Sequence, residues 1–136
     1  MEKWLLYSLL ALFIYGLWGF FPKLAVTYIR PLSALIYEIP GAVLVGIIAL
    51  IMAGFRLDTH PKGIIFSVLT GICGMLGTLF FLAGAKQGRL AIVVSITALY
   101  PLITILLAAI LLKEPITIKQ IVGMTLALIA IVLLSS

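Results

Sequence analysis

GIIFSVLTGICGMLGTLFFLAGA, KQGR, LAIVVSITALYPLITILLAAILL: these three consecutive pieces, residues 63–112, decide the fold. The outer two, Gly63–Ala85 and Leu90–Leu112, are 23 residues each and hold no charged side chain. A helix needs roughly 20 apolar residues to cross a hydrocarbon core of about 30 Å. Both stretches reach that length with tilt to spare. The piece between them carries Lys86 and Arg89 around Gly88, the basic, glycine-containing composition expected where a helix leaves the bilayer.

The same alternation extends to both ends of the chain. Further uncharged runs are Trp4–Pro22, Ile39–Phe55 and Gln120–Ser136. The second falls short of a crossing unless it begins near Pro31, which draws Glu38 into the membrane. The last is marginal in length, with its terminal serines suited to the interface. The spans are placed at about 4–22, 32–55, 63–85, 90–112 and 119–136. The expected fold is an all-α membrane protein of five transmembrane helices in one domain over residues 1–136. An irregular stretch is expected around Lys23–Pro31, with basic hinges at Arg56–Lys62, Lys86–Arg89 and Lys113–Lys119. The first run has too long an apolar stretch, and no small-x-small site follows it. It reads as a retained span rather than a cleaved leader.

Composition closes off other classes. Of 136 residues, 65% are hydrophobic and 10% charged, and asparagine is absent. Ordinary soluble domains are roughly a quarter charged, so there is too little polar surface here to cover a water-soluble fold. The net charge of +5 lies in short clusters between apolar runs, which suits lipid headgroups and not nucleic acid. Cys73 is the single cysteine and lies inside an apolar run, so no intrachain disulfide can form. It reads as a small membrane-buried packing residue. No metal-ligand cluster, phosphate-cradling glycine loop or nucleophile elbow is present, and no paired acids. Neither an enzyme nor a cofactor is expected.

Numbering the two sides of the bilayer alternately, one carries Lys3, Arg56, Lys62, Lys113 and Lys119, and the other Lys23, Arg30, Lys86 and Arg89. A five-to-four split gives the positive-inside rule almost nothing to act on. Either the chain inserts in both orientations, or Lys23 and Arg30 belong to a long, tilted first helix. Discounting them leaves five to two and a cytoplasmic N-terminus.

Glu38 is the one acid within a span. A charge at mid-membrane costs about 2.5–3.5 kcal/mol on insertion scales. A protonatable carboxyl facing a cavity is what proton-coupled transport requires; the alternative is a residue snorkelling to the interface or paired with Arg30. Lys23 faces either a pathway or the headgroups. Tyr15 and Trp18, three apart, share a helical face that Tyr37 could join as an aromatic cavity wall, unless all three simply pack. In the third span Gly63, Ser67, Thr70, Gly71, Gly74, Gly77 and Thr78 form a small, weakly polar stripe for close packing or cavity lining. Pro101 interrupts the fourth span and frees a carbonyl near Thr97, to which Ser95 or Thr104 could contribute a donor. His60, alone in a hinge beside Asp58, reads as a solvated loop residue. The candidate substrate contacts are Tyr15, Trp18, Lys23, Tyr37, Glu38 and Ser95; no catalytic or metal-ligating residue is assigned.

From Gly84 the chain reads GAKQGRLAIVVSITALYPLITILLAAILLKEPITIKQIVGMTLALIAIVLL. This resembles the EamA domain of the drug/metabolite transporter superfamily. The matching marks are a small-residue hinge, a span with central Pro101, the turn Glu114-Pro115-Ile116-Thr117, and Gly123 opening the last span. Tyr15-Gly16-Leu17-Trp18-Gly19 is similar to the family's tryptophan-glycine signature. Where many members carry an arginine early in the second helix, this chain has Tyr37-Glu38 followed by Pro40-Gly41. The departure points to a single-domain subgroup and weakens any transfer of substrate.

The resemblance implies a transporter subunit that moves a small metabolite or drug-like solute across the cell membrane. Most members fuse two such domains. Five is an odd number, so a tandem copy lies upside down, making an inverted repeat. A single domain is then one half of such a transporter. Its expected partners are a small-molecule substrate, membrane lipids and a second copy of itself in a homodimer, antiparallel favoured, and no nucleic acid. The rival expectation is a non-transporting membrane scaffold or regulatory subunit.

Overall fold

The structure, a computed structural model, describes residues 2–135. Its regular elements are α-helices: α1 (Lys3–Tyr28), α2 (Pro31–Met52), α3 (Pro61–Gln87), α4 (Leu90–Thr97), α5 (Tyr100–Leu111) and α6 (Ile118–Ser135). α4 and α5 are the two halves of one interrupted span, Leu90–Leu111, so the chain has five helical passages. Four are long and apolar enough to cross a membrane, and the fifth, Ile118–Leu134, is a shorter apolar helix. In hydrocarbon no water satisfies the peptide groups, so an uncharged run of this length must bond its own backbone, and a helix does so within the segment. The chain divides into two compact units, residues 1–87 and 88–136, each described by itself.

In the first unit α1, α2 and α3 pack against one another. α1 is 26 residues long, about 39 Å at 1.5 Å per residue, and overreaches the hydrocarbon core unless tilted. It runs straight through Pro22, so the stretch from Lys23 expected to be irregular is the last part of this helix, and only Ile29 and Arg30 lie outside. An internal proline removes a single i→i−4 bond; the apolar flanks on both sides continue the helix past it. Lys23 therefore sits inside a long first helix, while Arg30 precedes Pro31 in extended conformation (φ −76°, ψ 150°) and starts α2. Proline at the first helical position is pre-set for that role.

α2 begins at Pro31, the start that includes Glu38 in the span, and stops at Met52 rather than Phe55. The stop is a Schellman turn. Gly54 takes φ +62°, its N–H donates to the Ile51 carbonyl at 2.9 Å, and the Phe55 N–H donates to the Leu50 carbonyl at 3.1 Å. α3 opens on Pro61 and ends in the Lys86–Arg89 hinge.

In the second unit α4 packs on α6. Pro101 cannot donate to the Thr97 carbonyl, and α4 stops there, as the sequence led one to expect. A turn through Ala98 and Leu99 follows, and α5 restarts with Pro101 in its first turn. The Thr97 hydroxyl donates to the carbonyls of Val93 (2.9 Å) and Val94 (3.1 Å). Thr104 donates to Tyr100 (3.3 Å), not towards Thr97. Lys113, at φ +54°, turns the chain out of α5.

The Glu-Pro-Ile-Thr turn then has a mechanical reason. Thr117 and Gln120 form a reciprocal capping box at the start of α6: the Gln120 N–H donates to the Thr117 hydroxyl (3.3 Å), and the Thr117 N–H donates to the Gln120 side-chain oxygen (2.8 Å). Replacing Thr117 with alanine is expected to cost about 1 kcal/mol, read as a lower melting temperature in detergent. An unchanged melting temperature would show that the box contributes nothing. The interfacial placement of the final serine lies outside the described residues.

Candidate functional site

A cleft of about 220 Å³ opens in the first unit, lined by α1, α2 and one residue of α3. Helical spacing builds it. On α1, Trp18, Phe21, Pro22 and Ala25 recur at three and four residues along one face, with Ile29 just past the helix end; on α2, Ala34, Tyr37 and Glu38 do the same. Leu82 of α3, wholly buried, closes the floor. Behind it the Trp18 ring meets Phe81 of α3, with centroids 5.3 Å apart and planes inclined 34°. That distance and tilt are typical of a favourable aromatic pair, so the back of the indole is fixed.

Two lysines tie the same end of the unit together. The Lys23 ammonium donates to the carbonyl of Ala85 on α3 at 2.6 Å, and the Lys86 ammonium on α3 donates to the carbonyl of Val26 on α1. Each helix thus supplies a cation to the C-terminal carbonyls of the other, where the helix dipole is negative. The buried residues of these two helices are Pro22 and Val26 on α1 and Thr78, Phe81, Leu82 and Ala85 on α3. From Lys3 to Trp18, α1 is exposed throughout, and so is α3 from Pro61 to Gly74. The three helices are therefore packed at one end and open at the other.

The structure brings Trp18, Tyr37 and Glu38 into one site. Glu38 is half-buried there, and no hydrogen bond or ion pair reaches its carboxyl among the described residues. Tyr15 is absent from the cleft lining and is 62% exposed. Lys23 faces neither the cleft nor headgroups alone but makes the interhelical tie just described. Ser95 is buried on α4, in the second unit. Cys73, read as a small membrane-buried packing residue, lies within the long apolar α3 and is not covered by the chain's own helices. In the small-residue stripe, a Cβ at Gly71, Gly74 or Gly77 would meet nothing within 4 Å, while Thr78 is buried.

Sequence reasoning missed Phe21, Pro22 and Leu82 as lining residues and Lys86 as the reciprocal of Lys23. The α1 members could have been found by extending the Trp18 face forward in steps of three and four. The α3 members had no such signal, because they depend on which helix lies across α1.

The second unit has its own cleft, about 330 Å³, between the break at Ala98–Leu99, the start of α5 and one face of α6. Pro101, Leu102, Gly123 and Met124 line it, and Gln120 is its one long polar side chain. Among the described residues no three His, Cys, Asp or Glu side chains come together as a metal site would need.

A profile of the family described as "EamA-like transporter family" matches residues 2–136. An uncharacterized protein of Methanocaldococcus jannaschii is 28% identical over 135 residues, which are 99% of this chain and 98% of that protein. No solved structure matches.

Proposed function

Because the chain belongs to the EamA-like transporter family, we propose that it is a transporter subunit that moves a small organic solute across the cell membrane, with Glu38 carrying a coupled proton. The observation that carries this reading is the cleft joining Trp18, Tyr37 and Glu38 on two helices, in a position all three spans share. A carboxyl is expensive inside a membrane and is kept there for ion or substrate pathways. Its surroundings here are those of a binding wall, with aromatic flats and one carboxyl.

One copy makes only part of such a site. At about 220 Å³ the cleft is below the range of roughly 300–1,000 Å³ usual for small-molecule pockets, and Tyr37 on its rim is 73% exposed. A second copy, inverted, supplies the opposite wall and restores the inverted repeat that alternating access uses. With Lys23 inside α1, Lys and Arg divide five to three between the two sides, a weak bias that still permits insertion in both orientations. In this assembly all five helices cross, with α6 spanning about 27 Å by its 18 residues.

Proteoliposomes loaded with a metabolite panel, with and without an imposed pH gradient, test the reading. Uptake of at least one solute, accelerated by the gradient, is the expected result. No uptake across the panel in either condition would leave a scaffold or regulatory role as the better account.

A further inference from the structure

We propose that Lys23 and Lys86 are positioning residues of the cleft: each caps the end of the other's helix, and the two crossed caps hold α1 at a fixed level against α3. Neither lysine lines the cleft. The inference rests on the preceding reading only in taking the cleft to be the working site.

Helix geometry leaves two carbonyls over at this end of the unit. The last four C=O groups of a helix find no N–H within it. α1 ends with no basic residue in its last turn. The Ile29 N–H closes onto the Ala25 carbonyl at 3.0 Å, and the chain then runs extended through Arg30 into α2. The Val26 carbonyl is the next one along. α3 ends at Gln87, which puts the Ala85 carbonyl among its last four. Val26 is 1% exposed and Ala85 0%, so water has little access to either. A buried carbonyl left unpaired is destabilising. The Lys86 and Lys23 ammoniums supply the missing donors, each from the neighbouring helix.

The crossing is what makes these caps positional. A lysine that capped its own helix would satisfy a carbonyl and hold nothing across the pair. Here α1 and α3 bring their C-terminal ends to one level, and two negative helix ends side by side repel. A cation on each, aimed at the other, turns that repulsion into attraction.

The cleft depends on the level so set. Lys23 directly follows Pro22, and Ala85 stands one turn beyond Phe81 and Leu82. Pro22 and Leu82 line the cleft, and Phe81 backs the Trp18 ring. A slip of α3 by one residue along α1, about 1.5 Å, carries Leu82 along the floor and Phe81 off the ring it supports.

The test reads helix position and the Trp18 environment directly, with no solute present. Trp4→Phe leaves Trp18 as the only tryptophan, and Cys73→Ala removes the one native thiol. In that background Leu24→Cys on α1 and Phe80→Cys on α3, both at exposed positions, carry spin labels. Lys23→Met and Lys86→Met should each lengthen and broaden the distance between the labels and shift Trp18 emission. Lys23→Arg and Lys86→Arg, which keep a cationic donor, should leave both signals as they were. Thr117→Ala, which weakens α6 in the second unit, should lower the melting temperature and move neither signal. Where a methionine variant does not fold, Lys23→Gln or Lys86→Gln takes its place, with the same change expected at smaller size. Unchanged signals in either neutral variant would overturn the proposal. So would the same changes in Thr117→Ala, or arginine variants that behave like the neutral ones. Failure of every solute in the uptake panel, with these signals as expected, would count against the transport reading alone.

Discussion

Glu38→Gln is expected to abolish the acceleration of uptake by a pH gradient while leaving the protein folded. Glutamine fills the volume of the protonated acid, so the cleft between α1 and α2 keeps its shape. No hydrogen bond or ion pair to the carboxyl is lost, because none is made among the described residues. Removing a group whose charge costs about 2.5–3.5 kcal/mol at mid-membrane should leave the melting temperature unchanged or higher. Gradient-driven uptake should then fall to the level of empty liposomes, and exchange of solute between equal pH values should persist or weaken. An undiminished response to the gradient would assign Glu38 to the membrane interface and move proton coupling to another group.

The second large effect concerns orientation. Adding two or three lysines to the N-terminus should fix one insertion, and adding them to the Lys86–Arg89 hinge should fix the other. If the working unit is an antiparallel pair, each biased variant alone should lose transport almost completely. Producing the two together in one membrane should restore it. The weak bias of the basic residues, five to three with Lys23 inside α1, is what makes so few lysines decisive, since a strongly biased chain would resist them. Full activity from either variant alone would rule out the antiparallel pair and leave a parallel dimer or a larger complex. Lys23 is the residue to watch in that outcome. It lies within α1, where its ammonium is held by Ala85, and a lysine held in this way during insertion contributes less to orientation than one in a loop.

Much of the architecture was legible because a membrane imposes a coarse rule. Gly63–Ala85 and Leu90–Leu112 had the length and the absence of charge that leave a helix as the only economical backbone. The break at Pro101 was legible for an equally local reason, a missing N–H. Pro22 shows where that local argument stops. The same missing N–H interrupts nothing there, and α1 continues to Tyr28.

The candidate site was legible only as single residues. Glu38, Trp18 and Tyr37 could each be singled out by type and helical position, and they do share a cleft. Tyr15 has the right spacing from Trp18 yet lies outside it. The cleft joins the start of α2 to the last part of α1, from Trp18 onward, and Tyr15 lies just short of that stretch. The lysine ties were not legible at all, since their acceptors are backbone carbonyls, which every residue carries and no sequence marks.

That the first three helices are bound at one end alone makes them a pair of tweezers with the lysine ties at the pivot. A small rotation at such a pivot moves the free tips far, because displacement grows with distance along a rod tens of ångströms long. Trp18 and Glu38, close to the pivot, would hold their spacing through the same swing that carries Trp4 and Pro61 widely apart. If the cleft holds a solute, a substitution near Lys86 should alter how tightly it is held, and one near Tyr7 or Phe66 should leave its affinity unchanged.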